Sequence, residues 1–158
     1  MFPKISREPK VYKKVFPEFV YKMKFNGLHD ANTGLSGCGA VIYKNNNEIW
    51  TSGFCIEDNI THDHAEYVSL IYGLQKAYTL NISHLIVEGN NQSVISQMRG
   101  LCSCEKENLV ELYCRAKEME SKFDNISFNH IYTNDNKTAN ELSIMAIDKY
   151  LTSIKNKT

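Results

Sequence analysis

The sequence predicts an α/β fold, a mixed five-stranded sheet covered by helices, and three observations lead there. Three strand-like segments precede any helical pattern, 19–25 (FVYKMKF), 38–44 (CGAVIYK) and 48–56 (EIWTSGFCI), and the last two flank a short polar tip as a hairpin does. Two further short strand patterns then alternate with helical ones, and strand–helix–strand units produce parallel pairing. The chain has 158 residues, a length that builds one core and no second folded unit.

Each element has its own signal. Residues 1–18 carry Lys4, Arg7, Lys10, Lys13 and Lys14 among Pro3, Pro9 and Pro17, which predicts an irregular basic extension that packs on the body or touches phosphates. The folded domain is expected over 19–152 and a tail over 153–158. FVYKMKF alternates and is rich in β-formers. The hairpin turns around Asn45, Asn46 and Asn47, which tolerate turn conformations. In 64–78, Ala65, Val68, Leu70, Ile71, Leu74 and Ala77 recur at helical spacing, with Thr61 or Asp63 as the N-cap. A buried strand follows at 83–89, then a short helix at 91–99 ended by Gly100, and a longer helix at 107–123. Residues 126–132 alternate as the last strand, and 137–154 form an amphipathic helix. Tyr67, Tyr72, Tyr78, Tyr113 and Tyr132 fall at spacings that place them in the core with hydroxyls reaching water.

Composition narrows the function classes. Eighteen basic and eighteen acidic side chains cancel, so any nucleic-acid contact must come from a local patch. Apolar runs are too short to span a bilayer, and the charged, proline-containing N-terminus lacks the apolar stretch of a secretion signal. Cys38, Cys55, Cys102, Cys104 and Cys114 are odd in number and lack paired CxxC spacing, which argues against zinc and for reduced thiols in an intracellular setting, cytoplasmic or nuclear. Six N-x-S/T triplets, beginning at Asn59, Asn81, Asn91, Asn125, Asn136 and Asn156, are read as a product of the Asn-rich composition.

The segments that punctuate this pattern carry the chemistry. Gly27, Gly34, Gly37 and Gly39 crowd the first turn, which signals close backbone approach or positive φ. Glu66 stands in the first turn of a helix, Asn90 where a strand enters a helix, and Asn140 in the first turn of the last helix. Taken together these segments resemble the ribonuclease H family of the HI type. That family's strand ending in D-G followed by N-x-G-x-x-G-x-G is similar to Asn26, Gly27, Asn32, Gly34, Gly37 and Gly39. Its T-x-x-x-x-E is similar to Thr61 and Glu66, its (G/S)-D-S-x-x-V to Gly89, Asn90, Asn91 and Val94, and its N-x-x-A-D-x-L-A to Asn136, Ala139, Asn140, Leu142 and Ser143. His130, ten residues before Asn140, has the place of a histidine found in many members, although its alternating strand context fits a hydrogen-bonded structural role. The resemblance covers roughly residues 19–152 and implies the sheet order 3-2-1-4-5, with helices on both faces.

The departures bear on activity. The family holds two Mg²⁺ ions roughly 4 Å apart on four carboxylates. The resemblance places Asn26, Glu66, Asn90 and Asn140 at those four positions, so only Glu66 keeps a charge. Amide oxygens bring no charge to offset the dehydration of Mg²⁺, so no metal site and no cofactor are expected, with Mg²⁺ needed only if the chain is active. Asp30, Asp63, Glu88, Asp135 and Glu141 lie close enough in sequence to be weighed as replacements. Leu28, Asn91 and Thr133 also depart from the family pattern, which favours natural loss over engineered Asp→Asn changes. By resemblance, Gly27, Asn32, Thr61, Asn91 and Gln92 contact nucleic acid, reading the shape and 2′-hydroxyls of a hybrid or other duplex. For Asn32 a turn position at positive φ is an equal expectation, and Gln92 also fits a solvated helix position. Three functions follow: a catalytically silent hybrid- or duplex-binding module, an active Mg²⁺-dependent ribonuclease H, and a non-enzymatic scaffold for a protein partner.

Overall fold

The computed structural model describes residues 19–157; the basic extension expected at 1–18 lies outside the described residues. The elements are β1 (Tyr21–His29), β2 (Ser36–Lys44), β3 (Asn47–Ile56), α1 (His62–Thr79), β4 (His84–Gly89), α2 (Gln92–Met98), α3 (Glu107–Glu120), β5 (Asn125–His130) and α4 (Lys137–Lys155), with a 3₁₀ turn at Thr133–Asp135. They form one five-stranded sheet in the order β3-β2-β1-β4-β5. β1 pairs antiparallel with β2 and β2 with β3, while β4 runs parallel to both β1 and β5. The expected fold class and strand order are both present.

β1 extends to His29, past the alternating segment, because Asn26–His29 pair with Ser36–Gly39. Gly37 and Gly39 are therefore ladder residues of β2, not loop residues. The reversal between the strands is held by Asp30, whose carboxylate accepts from the Asn32 amide at 3.0 Å and the Thr33 hydroxyl at 2.9 Å. Gly34 there has φ +72°; Asn32 does not lie at positive φ, because Gly34 takes the left-handed position. The β2–β3 hairpin turns on Asn45 (φ 49°) and Asn46 (φ 67°), a two-residue connection whose twist matches the strands, and Asn47 already belongs to β3.

Paired residues share a face of the sheet. Gly27 and Cys38 face α1, whereas Asn26 and Gly39 face α4. On the α1 side, Met23, Phe25, Ala40, Ile42 and Val87 meet Tyr67, Leu70, Leu74, Ile95, Met98 and Leu109 in the main core. α4 lies alone on the other side, against β1, β2 and β3. Burying these side chains supplies about 1.5–3 kcal/mol each, which fixes the register of every element carrying them.

Two expectations are corrected. Tyr67 is fully buried with its hydroxyl on Gln97 Oε1, and Tyr113 packs against the core, but Tyr72, Tyr78 and Tyr132 are exposed. Tyr72 instead covers Trp50 and Phe54 from outside, and Tyr78 lies under Lys122. α4 continues through Lys155, into the expected tail, because no Gly or Pro interrupts it and the Thr152 and Ser153 hydroxyls turn back onto carbonyls of the preceding turn. Among the described residues no helix is long and apolar enough to cross a membrane.

Candidate functional site

Glycine makes the site possible by letting helix backbones touch the sheet. A Cβ on Gly27 would stand 2.4 Å from both Ala65 C and Glu66 N, so α1 can place Glu66 beside the end of β1 only because that Cβ is missing. On the opposite face, a Cβ on Gly39 would lie 2.3 Å from Ala139 O, and one on Gly53 2.9 Å from Leu142 O. The first turns of α4 therefore lie directly on β2 and β3, which brings Asn140 to Asn26.

Two amide pairs result. Asn26, 4% exposed, donates from Nδ2 to Asn140 Oδ1 at 3.0 Å and to Ser143 Oγ at 3.1 Å. Ser143 Oγ donates in turn to Asn140 O at 2.6 Å. Asn136, 1% exposed, donates from Nδ2 to Phe25 O at 2.9 Å and to Asn90 Oδ1 at 2.7 Å. Ser69 Oγ sits 2.8 Å from Asn26 O, completing the anchoring of the end of β1.

Glu66 is fully buried, and neither carboxylate oxygen has a hydrogen-bond partner. One helical turn earlier, His62 Nε2 lies 3.5 Å from Oε1. Burial pushes the Glu66 carboxyl above its ordinary range, against the opposing pull of His62 and the Gly27 amide. The same contact raises the His62 pKa.

The structure thus places Asn26 within β1, Glu66 near the start of α1, Asn90 just past β4 and Asn140 in the first turn of α4. The residues expected to touch nucleic acid divide differently. Thr61 caps α1 by accepting from His64 N at 3.2 Å, and Asn32 and Gln92 are exposed. Gly27 is buried against α1. Asn91 accepts from Val94 N at 3.0 Å and donates to Asp63 Oδ1 at 2.8 Å. His130 is exposed at the end of β5 with its ring edge-on to Tyr132, because the strand stops before the alternating pattern does.

Of the alternative acids, Asp30 holds its own turn, Asp63 takes Asn91 and Glu88 pairs with Lys22 at 3.3 Å, while Asp135 and Glu141 are exposed. Among the described residues no three His, Cys, Asp or Glu side chains converge as a metal cage. Of Asn26, Glu66, Asn90 and Asn140 only Glu66 carries a carboxylate. Sequence reasoning passed over His62, although its i,i+4 spacing to Glu66 is readable. Ser69 carried no such signal.

The fold and this polar cluster at the strand ends define a ribonuclease-H-like domain. A family model described as reverse transcriptase-like matches residues 24–146, and the chain belongs to that family. Ribonuclease HI of Halobacterium salinarum is 27% identical over 124 residues, covering 78% of this chain and 62% of that protein. The N-terminal RNase H domain of Rv2228c from Mycobacterium tuberculosis superposes with a TM-score of 0.79 at 27% identity, covering 85% of this chain and 97% of that one. LC11-RNase H1, solved in complex with an RNA/DNA hybrid, superposes with a TM-score of 0.77 at 27% identity, covering 83% and 99%. The chain spans less than two thirds of the length of the curated relatives: 62% of the archaeal protein and 34% of the full Mycobacterium tuberculosis protein.

Proposed function

We propose that the chain is a catalytically silent ribonuclease-H-like module that binds RNA/DNA hybrid, or another nucleic-acid duplex, without sequence specificity and without metal, in an intracellular setting. The observation that carries this is the direct bond from Asn26 to Asn140, in the position where the family resemblance places two metal-holding carboxylates. Two carboxylates so placed repel unless cations lie between them; two amides bond to one another and need none. The remaining carboxyl, Glu66, is one charge against two dications, and its burial disfavours even that charge. Likeness to ribonucleases H, one of them solved with an RNA/DNA hybrid, supports hybrid or duplex as the ligand class.

The test is binding and cleavage of a labelled RNA/DNA hybrid in Mg²⁺, Mn²⁺ and EDTA, beside a variant with Asp restored at Asn26, Asn90 and Asn140. Binding that persists in EDTA, weakens steeply with salt and gives no product is expected. Metal-dependent cleavage by the unaltered chain would sink the silent reading. Absence of binding would turn the search to a protein partner, a reading that the net charge of zero favours.

A further inference from the structure

The two amide pairs have a fixed polarity, set by backbone carbonyls that can only accept. Asn136 must turn its Nδ2 toward Phe25 O, 2.9 Å away. The same Nδ2 also meets Asn90, so Asn90 must present its oxygen inward, at 2.7 Å. The second pair repeats the logic through a hydroxyl. Ser143 Oγ spends its single proton on Asn140 O at 2.6 Å, so toward Asn26 it can only accept. Asn26 is thereby held with Nδ2 toward Ser143, and Asn140 must also present its oxygen inward, at 3.0 Å.

The consequence lies at the surface of the cluster. Asn26 and Asn136 are buried, whereas Asn90 and Asn140 are half-buried. With both outer oxygens pinned inward, both outer Nδ2 groups face away from the buried pair, and among the described residues neither donates a hydrogen bond. We infer that Asn90 and Asn140 form a pair of amide donors for phosphodiester oxygens of a nucleic-acid backbone. Side-chain amides commonly donate to backbone phosphates, and donors aimed at an anion form the stronger class of hydrogen bond. Glu66, the carboxyl of the cluster, is fully buried and has His62 at 3.5 Å. Where a metal would bridge carboxylates to phosphate, the amides touch the phosphate themselves. This rests on the nucleic-acid reading above for its ligand, but the donor site has its own readout.

Asn90→Asp and Asn140→Asp are the decisive variants. Each keeps the inward oxygen that the buried amide needs, so the fold is retained, and each replaces an outward donor by a carboxylate oxygen. In EDTA, each is expected to weaken binding of a short RNA/DNA hybrid by about tenfold or more, with an unchanged urea midpoint. The isosteric change at the exposed Asn134, Asn134→Asp, adds the same charge two residues before Asn136 and is expected to weaken binding less. In parallel, inorganic phosphate titrated into the unaltered chain should shift the Asn90 and Asn140 side-chain NH₂ resonances and leave those of Asn26 and Asn136 in place. If the hybrid binds and the two Asp variants bind it equally well, the donor site is wrong and the nucleic-acid reading stands. If no hybrid binds but phosphate shifts the two resonances, the donor site stands and the duplex reading falls. Silence of both resonances toward phosphate and hybrid overturns the inference.

Discussion

Asn26 Nδ2 donates to Asn140 Oδ1 across 3.0 Å, tying the end of β1 to the first turn of α4. The two residues are not equivalent in this bond: Asn26 supplies the protons and Asn140 the oxygen. Asn26→Asp therefore sets one acceptor against two, Asn140 Oδ1 and Ser143 Oγ, in a buried place. Its expected cost is about 1–3 kcal/mol in urea denaturation at neutral pH, while Asn140→Asp costs under about 0.5 kcal/mol. Equal costs for the two would contradict the assigned direction.

Placing Asp at Asn26, Asn90 and Asn140 together should create a dependence on divalent ions that is not expected of the unaltered chain. In EDTA the triple variant is expected to melt below the parent, and millimolar Mg²⁺ should recover part of the loss, since a ligand bound only by the folded state stabilises it. The parent's melting temperature should be the same in both buffers. A Mg²⁺-dependent shift in the parent would mean that Glu66 and the amides hold a metal after all.

Glu66 is expected to be a stability cost at neutral and alkaline pH. Its folded pKa is raised, so its contribution is fully present below the ordinary glutamate range and is lost as pH rises through the folded value. His62 has a raised folded pKa as well, so what it adds is present below the ordinary histidine range and lost above its folded value. Both trends run the same way. Glu66→Gln should therefore gain on the parent as pH rises, by about 1–3 kcal/mol at the alkaline end, the cost of an unpaired buried polar group. Chemical denaturation at a series of pH values checks this; a parent that gains on the variant with rising pH would contradict it.

Gly27→Ala and Gly39→Ala should be among the most damaging small changes. Each added methyl meets helix backbone, Ala65 and Glu66 in one case and Ala139 in the other, and backbone cannot swing aside as a side chain can. Losses of about 1–3 kcal/mol or more are expected, with α1 or α4 displaced from the sheet and hence from the site. Gly53→Ala, where the nearest atom is 2.9 Å away, should cost less. The order of the three urea midpoints is the measurement.

Much of this was legible because the signals are local. Alternation gave the strands, the asparagine run gave the hairpin, and Thr61 announced the start of α1. Gly27 and Gly39 were marked as close-approach positions, although nothing local says which helix comes close. The four candidate residues Asn26, Glu66, Asn90 and Asn140 were readable as a motif pattern, but their relationships were not. The direction of every amide bond depends on Phe25 O, 111 residues from Asn136, and on the Ser143 hydroxyl, 117 residues from Asn26. That Asn91 also caps α2 and bridges to Asp63 was not readable, because that bond is decided by the neighbouring helix start. The exposed Tyr72 has the spacing of a core residue, but its ring lies against Trp50 and Phe54, with centroids 6.2 and 4.8 Å apart, a pairing across elements that local spacing does not carry.

Asn136 is where fold and site meet, and a double-mutant cycle with Asn90 should show it. Asn136→Ala orphans the Phe25 carbonyl in the buried end of β1 and releases Asn90, so it should cost about 2–3 kcal/mol. Asn90→Ala removes one acceptor and leaves Asn136 its bond to Phe25, so its cost should be nearer 1 kcal/mol. Once Asn136 is gone, truncating Asn90 should cost little more, giving a coupling of about 0.5–1.5 kcal/mol between the two sites. Additive losses would mean that the 2.7 Å bond contributes nothing to stability and that Asn90 is free to turn either end outward. Coupled losses would show that the polarity of the outer amide is held by the end of β1, through a residue that itself touches no ligand.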